Sequence, residues 1–146
     1  MAQMKAWVDH RGRPVIQVER PGSDEPFLAL IDTGCSCELF LDEEAAVELG
    51  VVAIAKLRRN QDAETVRLGD GSMVVVKLGR LLVVWDGIET PITVRISTGP
   101  LFVDDGSWPG TEPKALLGCQ LLAGKSLNIN FCNGRIDIGS CLTPPV

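Results

Sequence analysis

The feature that most constrains this chain is an aspartate at the end of an apolar run. Residues 29–31 read Ala-Leu-Ile, and Asp32, Thr33 and Gly34 follow them directly. Burying a carboxylate costs free energy unless the group is hydrogen-bonded, shares a proton or takes part in chemistry. The pattern therefore predicts a strand that ends in a functional carboxylate where the backbone turns. A simple Asx-turn before glycine is the alternative reading.

The composition indicates a single all-β domain. With 146 residues, 45% of them hydrophobic, the chain has the length of one domain. A domain of this size buries about two thirds of its unfolded surface. The 15 Gly and 9 Pro residues favour short strands and turns over a helical bundle. We expect one domain over residues 1–146, built of strands with one or two short helices.

Charge and cysteine content limit the binding partners and the cellular compartment that we expect. The net charge is −5 and no basic stripe with interleaved aromatic residues is present, so we expect no nucleic-acid partner. No apolar run approaches the roughly 18 residues of a membrane span, so we expect no membrane partner. The five cysteines are an odd number, and residues 1–10 hold no apolar stretch of signal length. Together these features predict free thiols and a cytoplasmic location.

Apolar runs bounded by turn residues predict the strands. These runs are 15–19, 27–31, 65–68, 73–78, 81–85, 88–96, 127–131 and 135–138. Between the strands, residues 97–114 form a long polar loop, a length that is often functional in compact domains.

The clearest helix covers residues 41–50. Asp42 suits the N-cap, acidic residues follow in the first turn, and Gly50 fits the position after the last turn. A second short helix is expected at 119–123, after the apolar run 115–118. The side chains of the first helix that we expect to face the core are Ala45, Ala46 and Leu49.

Four of these features, in order, resemble the single-domain retropepsin-like aspartic proteases, especially their bacterial members. Residues 29–34 match the catalytic loop, and 41–50 match the short helix after it. Residues 66–71 resemble the hairpin that becomes the flap, and 115–118 match an element of hydrophobic residues followed by glycine. Each match alone is weak, but their order and spacing over residues 15–139 are specific. The resemblance implies the acid-protease fold, a closed β-barrel.

The resemblance also implies an active site and a reaction. A retropepsin-like chain holds one catalytic aspartate, here Asp32, so two chains must meet as a homodimer to hydrolyse a peptide or protein substrate. The reaction is general acid–base activation of water, without a metal or cofactor. The other residues that the resemblance assigns are Thr33, Gly34 and Ser36 in the active-site loop, Leu68, Gly69, Asp70, Gly71, Ser72 and Met73 in the flap, and Leu117 and Gly118 in the second motif.

Three departures from the family pattern leave other functions open. Cys119 and Gln120 stand where many relatives carry arginine and then aspartate or asparagine, so a salt bridge that helps fix the retroviral dimer is absent. Cys35 replaces the usual serine or alanine, and two prolines near the end cannot donate ladder hydrogen bonds. The alternatives are a catalytically silent module for binding or dimerisation, and a monomeric domain that a partner assembles.

The pair Cys35 and Cys37 offers a metal site or a reactive thiol as a further alternative. Two thiols one residue apart, with no matching Cys/His pair elsewhere, make a poor zinc site. The only histidine, His10, lies in a polar stretch near the start, so a Cys–His nucleophile has a single candidate base. We therefore expect no metal, and we expect these cysteines to be small packing residues that can oxidise incidentally.

Overall fold

The computed structural model describes residues 4–53, 63–67, 71–102 and 112–141. Within these ranges the chain forms eleven strands and one helix, which confirms the predicted all-β architecture for this part of the chain. No helix in the same ranges is long and apolar enough to cross a membrane. The elements are β1 (Ala6–Val8), β2 (Pro14–Val18), β3 (Phe27–Asp32), β4 (Leu39–Asp42), α1 (Glu43–Leu49), β5 (Val52–Ala53), β6 (Ala63–Arg67), β7 (Met73–Trp85), β8 (Ile88–Ser97), β9 (Ala115–Gly118), β10 (Lys125–Asn130) and β11 (Arg135–Ser140).

The described strands all belong to one mixed sheet. Its order is β10-β11-β1-β2-β3-β9-β4-β8-β7-β5, and β6 pairs with β7 outside this path. The β3–β9 and β4–β8 ladders are parallel, whereas β9 runs antiparallel to β4. Because β9 lies between β3 and β4, the connection 33–38 crosses over the C-terminal end of β9.

The predicted closed barrel is wrong, because the hydrogen-bonded path is open, with β10 and β5 at its ends. In the part of the chain that the structure describes, one isolated bridge joins the segment after β2 to β7, and in it the Val84 N–H donates to the Glu19 carbonyl at 2.8 Å. Past Glu19 the chain turns, since the Ser23 N–H bonds the Arg20 carbonyl, and Pro21 has no N–H to donate. The bridge therefore does not extend into a ladder that would close the barrel.

Both predicted caps of the first helix are confirmed, but α1 begins at Glu43, and Leu41 and Asp42 of the predicted range 41–50 belong to β4. Asp42 has an extended backbone and its Oδ1 accepts the Ala45 N–H at 2.9 Å, while Gly50 ends the helix with a left-handed φ of 74°. The second predicted helix, at 119–123, is wrong. This segment forms successive turns, in which N–H groups donate to carbonyls three residues back. The buried residues of α1 are Ala45, Ala46 and Leu49, as predicted.

The sequence predicts two strands, 73–78 and 81–85, where the structure has the single strand β7. The strand continues through Gly79. A Cβ atom at Gly79 would lie 2.6 Å from Cγ1 of Val51 and 3.2 Å from the Val52 carbonyl oxygen. This glycine therefore allows the segment after α1 to approach β7 closely, and it does not break the strand.

Candidate active site

Asp32 is the last residue of β3 and lies on the face opposite the main core. Along this strand the buried residues Phe27, Ala29 and Ile31 alternate with half-buried ones, and Asp32 belongs to the half-buried set. In the parallel β3–β9 ladder, Asp32 is opposite Gly118. The strand therefore brings the carboxylate to the end of the sheet, beside the connection 33–38.

The Asp32 carboxylate is held at one of its two oxygens. Oδ1 accepts the Gly34 N–H at 3.0 Å, and the Asp32 carbonyl accepts the Cys35 N–H at 3.1 Å. This is the Asx-turn of the alternative reading. Among the described residues no donor is bonded to Oδ2. The neighbouring Thr33, Gly34 and Ser36 are exposed.

Gly118 supports the connection 33–38 by backbone contact. Its N–H donates to the Glu38 carbonyl at 3.0 Å. A Cβ atom at this position would collide with the Cys37 carbonyl oxygen and lie 2.7 Å from that of Cys35. Leu117, just before it, is fully buried. Only glycine fits between the end of β9 and the carbonyls that cross it.

The two residues that depart from the protease pattern also hold this connection through their backbone. The Cys119 N–H donates to the Cys35 carbonyl at 2.9 Å, and the Gln120 N–H donates to the Cys37 carbonyl at 3.2 Å. Neither hydrogen bond uses a side chain, so both can form with any residue except proline at these two positions. The segment that follows Asp32 is thus fixed to the end of β9 by main-chain hydrogen bonds.

Cys35 and Cys37 form a disulfide, with their Cα atoms 5.6 Å apart. The prediction of free thiols is therefore wrong for these two cysteines, while Cys119, Cys132 and Cys141 are free and exposed. The odd cysteine count concealed the pair, because one disulfide among five cysteines still leaves three thiols. The signal available in the sequence was the Cys-x-Cys spacing next to a turn. Over the ranges that the structure covers, no group of three or more His, Cys, Asp or Glu residues is arranged to hold a metal.

Cys37 connects this segment to β7. It is 2% exposed and packs in a small apolar cluster with Phe40 of β4 and Val76 of β7. β7 also pairs with β6. The contact between Cys37 and Val76 therefore connects the disulfide to the β6–β7 hairpin. The half-buried side chains against the same cluster are Cys35, Leu101 and Leu116.

The predicted flap is described only in part. β6 and β7 pair as far as Arg67 and Met73, so the hairpin expected here is present. At its end Gly71, Ser72 and Met73 are exposed, and Gly71 has a φ of 87°. The remaining predicted flap residues, Leu68, Gly69 and Asp70, lie outside the described residues.

A cleft of about 190 Å³ lies beside the disulfide. Glu38 is held there, since its Oε1 accepts the Thr93 N–H at 3.2 Å. The cleft could not be predicted from the sequence, because its lining residues come from segments that are far apart in the chain. The lining residues are Cys37, Glu38, Leu78, Thr93, Arg95 and Gln120.

Comparison of the chain with protein-family models, curated proteins and solved structures found no match. Its residues and contacts are therefore the basis for assigning a function. These provide a half-buried carboxylate whose second oxygen has no donor among the residues that the structure describes, beside a crosslinked segment bonded to the end of β9.

Proposed function

We propose that this chain is an aspartic endopeptidase whose active site forms between two identical chains, each of which contributes Asp32. The observation that supports this most strongly is the setting of the Asp32 carboxylate. It is half-buried at the end of β3, Oδ1 is bonded to the Gly34 N–H, and among the described residues Oδ2 has no donor. A carboxylate that is fixed in direction and still reachable suits proton transfer, which needs a partner within hydrogen-bond distance.

The proposed reaction uses two carboxyls in different protonation states. Two Asp32 groups within hydrogen-bond distance share one proton, because two adjacent negative charges are unfavourable. The ionised group accepts a proton from the water that attacks the peptide carbonyl. The protonated group donates to the carbonyl oxygen, and a proton then passes to the leaving amine as the roles exchange. No metal and no covalent intermediate take part.

A dimer centred on Asp32 would use the exposed part of the connection. Thr33, Gly34 and Ser36 are exposed and small, so two such segments can approach closely. In a two-fold dimer the same patch faces itself. We propose that the Thr33 hydroxyl bonds the partner's backbone across that axis, as the resemblance implies, while the β6–β7 hairpin covers the substrate.

The compartment is part of the proposal. We propose a cytoplasmic location, where disulfides are usually transient, catalytic or redox-sensing.

The variant Asp32→Asn tests the proposal. The wild type should cleave a peptide library at acidic pH, and the variant should be about 10²- to 10⁴-fold slower, because general acid–base catalysis is lost. Asp24→Asn is the matched control, since Asp24 is an exposed carboxylate just after the turn at residues 20–23, and it should cleave like the wild type. Retained cleavage by a folded Asp32→Asn variant would place the chemistry elsewhere.

The second candidate is a catalytically silent module for binding or dimerisation. The Asx-turn favours it, because a hydrogen bond to the Gly34 N–H accounts for Asp32 without any chemistry. A wild-type chain that dimerises by light scattering, cleaves nothing in the library and binds no pepstatin-type inhibitor would support this candidate over the protease.

A further inference from the structure

We infer that the Cys35–Cys37 disulfide is a thiol–disulfide exchange site that controls how firmly the segment after Asp32 is held, with a dithiol as its reactant. The crosslink begins three residues after Asp32 and encloses Ser36. The exchange itself does not depend on the proposed function, whereas its effect on catalysis rests on that function.

The two bonded cysteines differ in exposure. Cys37 is 2% exposed and packs against Phe40 and Val76, whereas Cys35 is half-buried at the edge of the same cluster. An incoming thiolate therefore reaches Cys35 more easily. Cys37 then has to leave as a thiolate among apolar side chains, which disfavours its charge. Exchange at this site should be slower than at a fully exposed disulfide.

The exchange balances in electrons and protons. A thiolate of the dithiol attacks the Cys35 sulfur, breaks its bond to the Cys37 sulfur and leaves Cys35 in a mixed disulfide. The Cys37 thiolate takes a proton. The second thiolate of the reagent then attacks the reagent sulfur of the mixed disulfide, so that a cyclic disulfide leaves and Cys35 takes a proton. Two electrons and two protons pass to the protein, and the dithiol is oxidised.

The crosslink is connected to two other parts of the molecule. The carbonyls of Cys35 and Cys37 accept the N–H groups of Cys119 and Gln120 at 2.9 and 3.2 Å. Cys37 also packs on Val76 of β7, the strand that continues into the predicted flap. When the disulfide is opened, only these hydrogen bonds and this packing contact hold the connection 33–38, so the connection becomes more mobile. Less accurate placement of Asp32 should slow catalysis, since a displacement of about 1 Å can cost about a hundredfold.

The test is a redox titration of the full chain in mixtures of reduced and oxidised dithiothreitol. Alkylation followed by peptide mass spectrometry counts the thiols at Cys35 and Cys37, and hydrogen exchange follows the amides of Cys119 and Gln120. We expect both cysteines to gain thiols together and reversibly, with several-fold faster amide exchange in the reduced form. The inference is overturned if both cysteines stay as thiols in fully oxidised dithiothreitol, or if amide exchange is the same in both states.

Matched variants separate this pair from the other thiols. Cys35→Ser and Cys37→Ser should show the fast amide exchange of the reduced form at every ratio. A double variant of Cys132→Ser and Cys141→Ser, which changes only exposed free cysteines, should respond like the wild type. If a single variant does not fold, the wild-type titration still decides the inference.

Peptide cleavage is followed along the same titration. If the proposed function is correct, cleavage falls by about tenfold or more as the pair becomes reduced. Cleavage that stays constant while the pair is reduced would overturn the control of catalysis. If no redox state cleaves peptides, the proposed function fails, whereas alkylation and amide exchange still decide whether the exchange site exists.

Discussion

Among the glycines that the structure describes, Gly118 has the least room for a side chain. We expect Gly118→Ala to destabilise the fold, because the added methyl group would collide with the Cys37 carbonyl oxygen and lie 2.7 Å from that of Cys35. Both neighbours are backbone atoms that cannot rotate away, so the cost should be about 1–3 kcal/mol, measured by urea unfolding. Gly99→Ala is the control, since a methyl group there meets nothing within 4 Å. Equal losses in the two variants would contradict the packing argument.

Asp9 gives the stability a predictable dependence on pH. Burial would raise the pKa of its carboxyl, but hydrogen bonds from the N–H groups of Arg13 and Arg11 and from the Arg13 guanidinium outweigh it and hold the pKa below its ordinary 3.8. A carboxyl with a lowered pKa stabilises the fold fully above the ordinary value, and this stabilisation is lost as the pH falls through the native pKa. Thermal unfolding of the wild type and of Asp9→Asn should therefore differ most near neutral pH and converge below about pH 4. A difference that stays constant to about pH 2 would contradict this.

The sequence predicts the Asp32 turn because that turn depends on neighbours in the chain. An aspartate two residues before glycine can bond the glycine N–H, and Oδ1 of Asp32 does so with Gly34. The hydrogen bonds from Cys119 and Gln120 could not be predicted, since they join residues that are far apart in the chain. The spacing of Cys35 and Cys37 was a local signal for their disulfide. The odd number of cysteines pointed instead to free thiols, so the disulfide was not predicted.

At the scale of elements, local chemistry determines which features the sequence reveals. Asp42 and Gly50 are local signals, and both ends of α1 were predicted from them. The continuity of β7 through Gly79 depends on a contact with Val51 and was not predicted. Strand β1 is only three residues long and forms because β2 and β11 pair with it on either side, so a local pattern does not reveal it.

Asp42 also joins α1 to the long loop after β8, which gives a second stability prediction. Oδ1 accepts the Ala45 N–H at 2.9 Å and Oδ2 accepts the Leu101 N–H at 3.3 Å. Asp42→Ala removes both acceptors and should cost about 1–2 kcal/mol in urea unfolding. Asp42→Asn keeps one oxygen for the cap and should lose clearly less. If asparagine were as destabilising as alanine, the cap would not be the source of the effect.

For the whole molecule, the sequence predicts the all-β class but not whether the sheet closes into a barrel. Alternating apolar runs indicate strands, whereas closure of a barrel depends on a ladder between strands far apart in the chain. Here one bridge from Glu19 to Val84 forms, and the turn at Arg20 and Pro21 ends it. The connection 33–38 crosses β9 because β9 lies between β3 and β4 in the sheet. This strand order cannot be predicted from any single motif.

The proposed active site is complete only when two chains meet, because each chain contributes one Asp32. The most direct test mixes wild-type chains with Asp32→Asn chains in equal amounts and measures peptide cleavage after the subunits have exchanged. If every site needs Asp32 from both chains, the mixture should retain about one quarter of the activity of wild type at the same total chain concentration. Activity of about one half would mean that each chain acts alone, and would contradict a site shared by two chains.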